Sequence, residues 1–187
     1  MNLTSFTFRK FLSPDECNNI IETCLQKKLE EGKVFAKGEY KVLESARKSK
    51  VTFFPFKGKF DWLIERIKEN LESVIVLKGY KLNYELDFQF THYGVDEYYG
   101  WHKDTGNSGP ASQRAYSLVI QLSDNYKGGL LQFKQEGIQT FGPGLGKMWV
   151  FPSSWDHQVT PVKEGTRYSL VAWFSIERIE GYTSTLL

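Results

Sequence analysis

The sequence predicts an α+β, mainly β fold in which N-terminal helices buttress an antiparallel barrel or sandwich. Two stretches of helical periodicity come first, and strand-like segments divided by Gly, Pro, Asn and Asp turns follow them. That segregation argues against alternating βαβ units. Aromatic residues form 16% of the chain beside 16 Gly, a composition suited to strands joined by many turns. The 187 residues are expected to fold as one domain over 1–187, with 1–80 giving helical support and substrate-side strands and 82–176 giving the barrel.

The first helix is announced by Ser13-Pro14-Asp15-Glu16, which combines an N-cap, a proline at the first helical position and a glutamate placed for a capping box. Its apolar stripe is Cys17, Ile20, Ile21, Cys24, Leu25 and Leu29, with Gly32 as the stop. The two cysteines lie about 10 Å apart along this helix, too far for a mutual disulfide, so both read as core. A second helix is expected over 60–77, burying Leu63, Ile67, Leu71, Val74 and Ile75, and Gly79 closes it. From Leu82 the period changes to two. Leu82, Tyr84, Leu86, Phe88 and Phe90 take one face, while Asn83, Glu85, Asp87, Gln89, Thr91 and Tyr93 take the other, the pattern of a half-buried strand. Further strands are expected over 115–122, 130–133, 147–151 and 167–175.

A formal net charge of +2 does not suggest a dedicated nucleic-acid binder. Hydrophobic and charged fractions of 41% and 25% exclude disorder and coiled coil. With no apolar leader at the amino terminus and no apolar run of spanning length, the expected location is cytoplasmic, with no membrane association.

His102-Lys103-Asp104 follows a predicted strand, where residues two apart point the same way and can grip one ion. His157 stands at another strand edge. Two imidazoles and a carboxylate on one face of a divalent ion leave its other positions open, the facial-triad arrangement of iron(II) oxygenases. Asp156 competes as the carboxylate but adjoins His157 and reads as a loop residue. His92, next to Tyr93, points to the opposite strand face and reads as packing. Arg167 alternates with Ser169, Val171 and Trp173 on one strand face, where a guanidinium can clamp a carboxylate through two parallel hydrogen bonds. Trp101 and Trp155 flank the candidate ligands as core residues or as a pocket wall. Arg47, Lys48, Lys50, Lys57 and Lys59 interleave with Phe53, Phe54 and Phe56. A strand with solvated basic positions explains this run better than a nucleic-acid groove.

Taken together, Tyr93-Gly94, Tyr99, His102-Lys103-Asp104, Arg114, Gly128-Gly129, Phe133, Pro143-Gly144, Phe151, His157, Pro161-Val162, Gly165, Arg167 and Trp173 resemble the catalytic domain of iron(II)- and 2-oxoglutarate-dependent dioxygenases, in the prolyl 4-hydroxylase-like branch. The segments Phe11-Leu12-Ser13-Pro14-Asp15-Glu16 and Arg47-Lys48-Ser49-Lys50 resemble that branch's flanking helix and substrate-side strand. The resemblance implies a double-stranded β-helix (jelly-roll) barrel, with His102, Asp104 and His157 as iron ligands. It also implies that Arg167 binds the distal carboxylate of 2-oxoglutarate and that Tyr93 hydrogen-bonds this cosubstrate. Some relatives place a second cosubstrate tyrosine where Gln121 falls, so Gln121 is a cosubstrate candidate here. Arg114, Trp101, Trp155 and Tyr99 are the substrate-side candidates, and the loop 105–113 and the segment near Arg47 are candidate covers. The implied chemistry is hydroxylation of an unactivated C–H bond with iron(II), 2-oxoglutarate and dioxygen, ascorbate being a further family cofactor. A peptidyl proline is the expected substrate; a nucleic acid or a free amino acid, a non-catalytic binding barrel and a zinc hydrolase are the competing readings.

Overall fold

The computed structural model describes residues 4–36, 38–54, 58–75, 79–84 and 87–180. Phe56, Lys57, Leu77, Glu85 and Leu86, all used in the sequence reading, lie outside the described residues.

Helix α1 spans Pro14–Leu25 and carries the expected box: the Glu16 amide donates to Ser13 Oγ at 3.2 Å and the Ser13 amide to Glu16 Oε2 at 2.8 Å. It ends at Leu25 rather than at Gly32, with Gln26 as C-cap. Leu29 packs on the core from the loop beyond, which extends the apolar spacing past the helix itself. Cys17 and Cys24 are fully buried free thiols, and burial raises their pKa values to about 11 and about 12. Helix α2 spans Asp61–Val74 and buries Leu63, Ile64, Ile67 and Leu71. Ile75 is already extended, so this helix stops short of the expected boundary.

The strands are β1 (Phe6–Phe8), β2 (Glu30–Glu31), β3 (Val34–Ala36), β4 (Glu39–Lys41), β5 (Arg47–Lys48), β6 (Lys50–Phe54), β7 (Tyr80–Asn83), β8 (Phe88–Tyr93) and β9 (Tyr98–His102). After a short 3-10 turn come β10 (Tyr116–Gln121), β11 (Tyr126–Gly128), β12 (Leu131–Lys134), β13 (Ile138–Phe141), β14 (Met148–Pro152), β15 (His157–Val159), β16 (Val162–Gly165) and β17 (Arg167–Arg178). The major sheet runs β1-β14-β10-β17-β8-β6-β2, and the minor sheet runs β13-β12-β15-β9-β5. Neighbouring strands in both are antiparallel. Two small pairs, β11 with β16 and β3 with β4, complete the mainly β architecture.

The expected single strand from Leu82 to Phe90 is two strands, β7 and β8, which pair with successive parts of the long β17. Nor is its polar face solvated: Gln89 and Thr91 are 7% and 1% exposed. The major sheet is buried on both sides, because helices cover one face and the minor sheet covers the other. Phe88, Phe90, Leu118, Ile120, Leu170 and Ala172 join Cys17, Ile20, Leu63, Ile67 and Leu71 in the helix-side core. The alternate residues Tyr93, Val119, Trp149 and Phe151 meet Leu131, Phe133, Val159 and Val162 in a second core inside the barrel. Among the described residues no helix is long and apolar enough to cross a membrane.

Candidate metal centre and its buried arginines

His102 ends β9, His157 begins β15, and the antiparallel register sets them directly opposite each other. Asp104 follows two residues later, held where its amide and that of Thr105 both donate to the Ser153 carbonyl, at 3.0 and 3.1 Å. The result is a cluster: His102 Nε2 is 3.5 Å from Asp104 Oδ1, and His157 Nε2 is 3.5 Å from Asp104 Oδ2. One ligand atom from each of the three lies within 4.8 Å of the others, so the trio can hold a metal ion. Both imidazoles are oriented by the backbone. His102 Nδ1 lies 2.8 Å from the Gly100 carbonyl and His157 Nδ1 3.0 Å from the Trp155 carbonyl. A carbonyl only accepts, so each Nδ1 carries the proton and each Nε2 lone pair faces the cluster.

The carboxylate is oriented as well. Ser117 Oγ donates to Asp104 Oδ2 at 2.7 Å and itself contacts Ser153 Oγ at 2.9 Å. Burial would raise the Asp104 carboxyl, but His157 and then His102 hold it well below the usual carboxylate range. Burial would lower His157, yet the Asp104 carboxylate outweighs it and keeps this imidazole above its ordinary value. Burial, with His157 beside it, leaves His102 below its ordinary value. Asp156 does not join the cluster; its carboxylate lies 3.8 Å from Lys103 Nζ near the surface. His92 packs edge-on against Tyr168 on the helix side, with Nδ1 3.5 Å from Glu97.

The cluster opens into a cavity of about 1160 Å³, which Tyr93, Tyr99, Trp101, Arg114, Arg167 and Trp173 help to line. Arg167 is 1% exposed: Nη1 donates to Ser169 Oγ at 2.9 Å, the guanidinium sits 5.3 Å from the Tyr93 ring centre, and Nε has no partner. Burial raises the Tyr93 and Tyr99 phenols, so both stay protonated donors at neutral pH. Arg114 stacks on Trp173 at 3.8 Å and donates to the Asp104 carbonyl at 3.1 Å. Gln121 shares the interior face of β10, but its amide donates to the Ser123 and Tyr168 carbonyls at 2.8 and 3.1 Å, and it lies off the cavity. Trp155 packs against Phe133 behind His157 and also lies off the cavity, whereas Trp101 is 42% exposed at the mouth.

Arg47 corrects the reading of solvated basic positions. Only 5% exposed, it pairs through β5 with Tyr99 of β9 and turns into the cavity, while Lys48, Lys50 and Lys59 stay exposed. Its guanidinium lies 4.6 Å from the Tyr99 ring centre, and that ring stacks on His102 at 3.5 Å. Ser117, Ser153 and Ser169 were not anticipated as supports. Period-two alternation puts Ser169 on the face of Arg167, and the same alternation from Val119 would have placed Ser117 on the interior face.

A trio that could hold a metal ion and a buried guanidinium thus sit inside a double-stranded β-helix. The family model of the 2OG-Fe(II) oxygenase superfamily matches residues 88–175, the stretch from β8 through most of β17. A PKHD-type hydroxylase of Rippkaea orientalis is 35% identical over 89 residues, which cover 45% of this chain and 40% of that protein. One of Synechococcus is 41% identical over 81 residues, covering 41% and 36%. The matched part of the chain thus spans well under half the length of these relatives. Among solved structures, a viral collagen prolyl hydroxylase of Paramecium Bursaria Chlorella virus-1, described as a 2OG complex, superposes with a TM-score of 0.69 at 22% identity over 94% of this chain and 96% of that one. A Trichoplax adhaerens prolyl hydroxylase, in complex with a hypoxia inducible factor peptide fragment, gives 0.72 at 17% identity, over 91% and 83%. At these identities the structures show a shared fold.

Proposed function

We propose that this chain is an iron(II)- and 2-oxoglutarate-dependent dioxygenase that hydroxylates a peptidyl proline. One observation carries the reading: two imidazoles with backbone-fixed tautomers and one carboxylate converge beside a buried guanidinium whose Nε lacks a partner. The residues fit the cofactors. His102, Asp104 and His157 offer nitrogen and oxygen donors on one side of an ion, and Arg167 offers a fork for a dicarboxylate. A zinc hydrolase would give Arg167 no role. Bound iron(II) with 2-oxoglutarate supplies oxidation of an unactivated C–H bond by dioxygen, with decarboxylation to succinate.

The chain's own part is to bind, orient and shield. His102, Asp104 and His157 would hold the iron, Arg167 would fix the far carboxylate, and the protonated Tyr93 would donate to the cosubstrate. Val119, Leu131, Val159 and Val171 line the cavity and keep its floor apolar. Arg114, Trp101 and Tyr99 line its outer part and form the proposed substrate side. The peptidyl substrate is supported by the prolyl hydroxylases that share this fold, one of them described with a peptide. With Arg47 turned inward, Lys48 and Lys50 make no continuous stripe for a phosphate backbone.

The test is anaerobic titration of iron(II) and 2-oxoglutarate, read as a weak metal-to-ligand charge-transfer band, then mass spectrometry against a proline-containing peptide library. Asp104→Ala should abolish the band, since losing one member of a buried charge set costs about 3 to 5 kcal/mol. A band of undiminished strength in that variant would show the ligand set to be wrong.

A further inference from the structure

The cavity holds a second buried cation that the proposed reaction does not use. Arg47 Nε donates to Ser49 Oγ at 2.7 Å and Nη1 to the Lys33 carbonyl at 3.3 Å, both neutral acceptors. Nη2 is buried and has no partner, and no ion pair among the described residues involves Arg47. A guanidinium withdrawn from water without a counter-charge is costly, and the cost is removed when a ligand brings the missing anion.

We propose that Arg47 is the anchor for a carboxylate carried by the substrate itself, so that the substrate class is an acidic one. The inference rests on the assignment of Arg167 to 2-oxoglutarate. The charge balance points the same way. Asp104, its side chain 9% exposed, is the most enclosed carboxylate among the described residues that line the cavity, which also include the guanidinium groups of Arg47, Arg114 and Arg167; Glu30 and Glu31 line it too but are exposed. Adding iron(II) and the dianionic cosubstrate leaves the cavity positive, because each cancels the other. A carboxylate on the substrate would supply inside the cavity the counter-charge that the exposed Glu30 and Glu31 do not bring to Arg47. The side-chain polar atoms that line the cavity buried and without a partner are Arg47 Nη2, Arg167 Nε and Trp173 Nε1, and all of them donate.

The position suits a group bound next to the reacting centre. Arg47, Tyr99 and His102 form one continuous stack that ends at the metal-binding trio. It is also a built position. Gly32 lies so close that a Cβ there would meet Ser49 Oγ at 2.4 Å and Arg47 Nε at 2.5 Å, and the Gly32 amide donates to the Ser49 carbonyl at 2.8 Å. The absent side chain leaves the space that the Arg47 Nε–Ser49 Oγ hydrogen bond occupies.

The experiment uses the protein loaded anaerobically with iron(II) and 2-oxoglutarate. Calorimetry measures binding of matched probes: N-acetyl amino acids as free acids and as primary amides, and proline peptides carrying Asp or Asn, Glu or Gln beside the proline. Air is then admitted and products are read by mass. The expected result is at least one acid that binds about 30-fold or more tighter than its amide, the scale set by a buried charge-assisted pair. In Arg47→Gln that preference should collapse while 2-oxoglutarate affinity stays put, which also shows the variant to be folded. Gly32→Ala, which keeps the charge but displaces it, should weaken the preference in the same direction. Preference among N-acetyl acids identifies a terminal carboxylate; preference among Asp and Glu peptides identifies a side chain.

The proposal is overturned by acids and amides that behave alike, by a preference that survives in Arg47→Gln, or by 2-oxoglutarate affinity falling together with acid affinity. If the unaltered protein shows no charge-transfer band, the Arg167 assignment fails and this inference falls with it. A normal band with no acid preference sinks the Arg47 inference alone.

Discussion

The two faces of the major sheet are built from the same strands and do opposite things. On β8, Phe88 and Phe90 lie beneath the helices, while Gln89, Thr91 and Tyr93 are turned to the barrel. On β17, Leu170 and Ala172 face the helices, while Arg167, Ser169 and Val171 line the cavity. Both faces are buried, yet one is held by apolar area and close packing, while the other combines a second apolar core with buried polar groups, Arg167 Nε among them without a partner. A single pleat therefore separates the residues that keep the chain folded from those that would hold cofactors.

The sharpest way to break that comparison uses two residues of the β8–β17 ladder, one on each face. Phe90→Ala removes a fully buried ring that stacks on Tyr168 at 5.7 Å and should cost about 3 to 5 kcal/mol of stability. At this chain length that lowers the melting temperature by roughly 10 °C. Affinity for 2-oxoglutarate should stay unchanged in the molecules that remain folded. Arg167→Ala should do the reverse, costing about 2 to 5 kcal/mol of 2-oxoglutarate affinity while the melting temperature of the cofactor-free protein barely moves. Calorimetric titration and thermal unfolding of both variants check the pair. If both measurements fall together in both variants, the faces are not energetically separate.

A smaller effect tests whether supports on the interior face act through the metal trio. Ser117→Ala deletes the 2.7 Å hydrogen bond to Asp104 Oδ2 and changes almost no apolar volume. Removing such an outer partner of a metal ligand should lower iron affinity by about 10- to 100-fold. Competition against a metal-sensitive dye measures it, with the melting temperature as the control for packing.

The legibility of this molecule in its sequence follows the same division. Period-two alternation gave the apolar face of β8 directly, because an apolar side chain reports burial by itself. The opposite face read only as the polar side of a half-buried strand, since Gln89 and Thr91 look the same whether they meet water or line a closed cavity. The start of α1 was legible because the capping box is a local hydrogen-bond pattern, and both bonds form. Its end was not, since Leu29 continues the helical spacing from a loop that packs on the same core. Arg47 was the hardest residue to place. It sits in a basic run with Lys48 and Lys50, and only the pairing of β5 with β9 brings it beside Tyr99 and inside the cavity. His102 and Asp104 could be paired from spacing, but the carbonyls that fix the tautomers depend on how the backbone turns at Gly100 and Trp155.

The smallest expected effect lies on the helix side, where electrostatics are solvent-screened. Arg66 of α2 donates from Nη1 and Nη2 to Glu16 of α1 at 2.9 and 2.8 Å, and this pair holds the Glu16 carboxyl below its ordinary value of 4.5. A carboxyl with a depressed folded-state pKa contributes stability that is present above its unfolded value and lost as pH falls through its folded value. The window therefore opens below about pH 4.5 and runs downward. The side chains of Arg66 and Glu16 are 36% and 29% exposed, so screening limits the contribution to about 1 kcal/mol or less. Glu16→Gln keeps an acceptor for the Ser13 amide but loses the charge, and at neutral pH should lower the melting temperature by only roughly 2 to 4 °C. As pH falls below the ordinary carboxyl value the unaltered protein should lose that advantage, and the two unfolding curves should converge where Glu16 is protonated in the folded state as well. A gap that persists there would mean the loss comes from the helix cap rather than the ion pair. Affinity for 2-oxoglutarate should be the same in both proteins at neutral pH, since Glu16 lies across the sheet from the cavity.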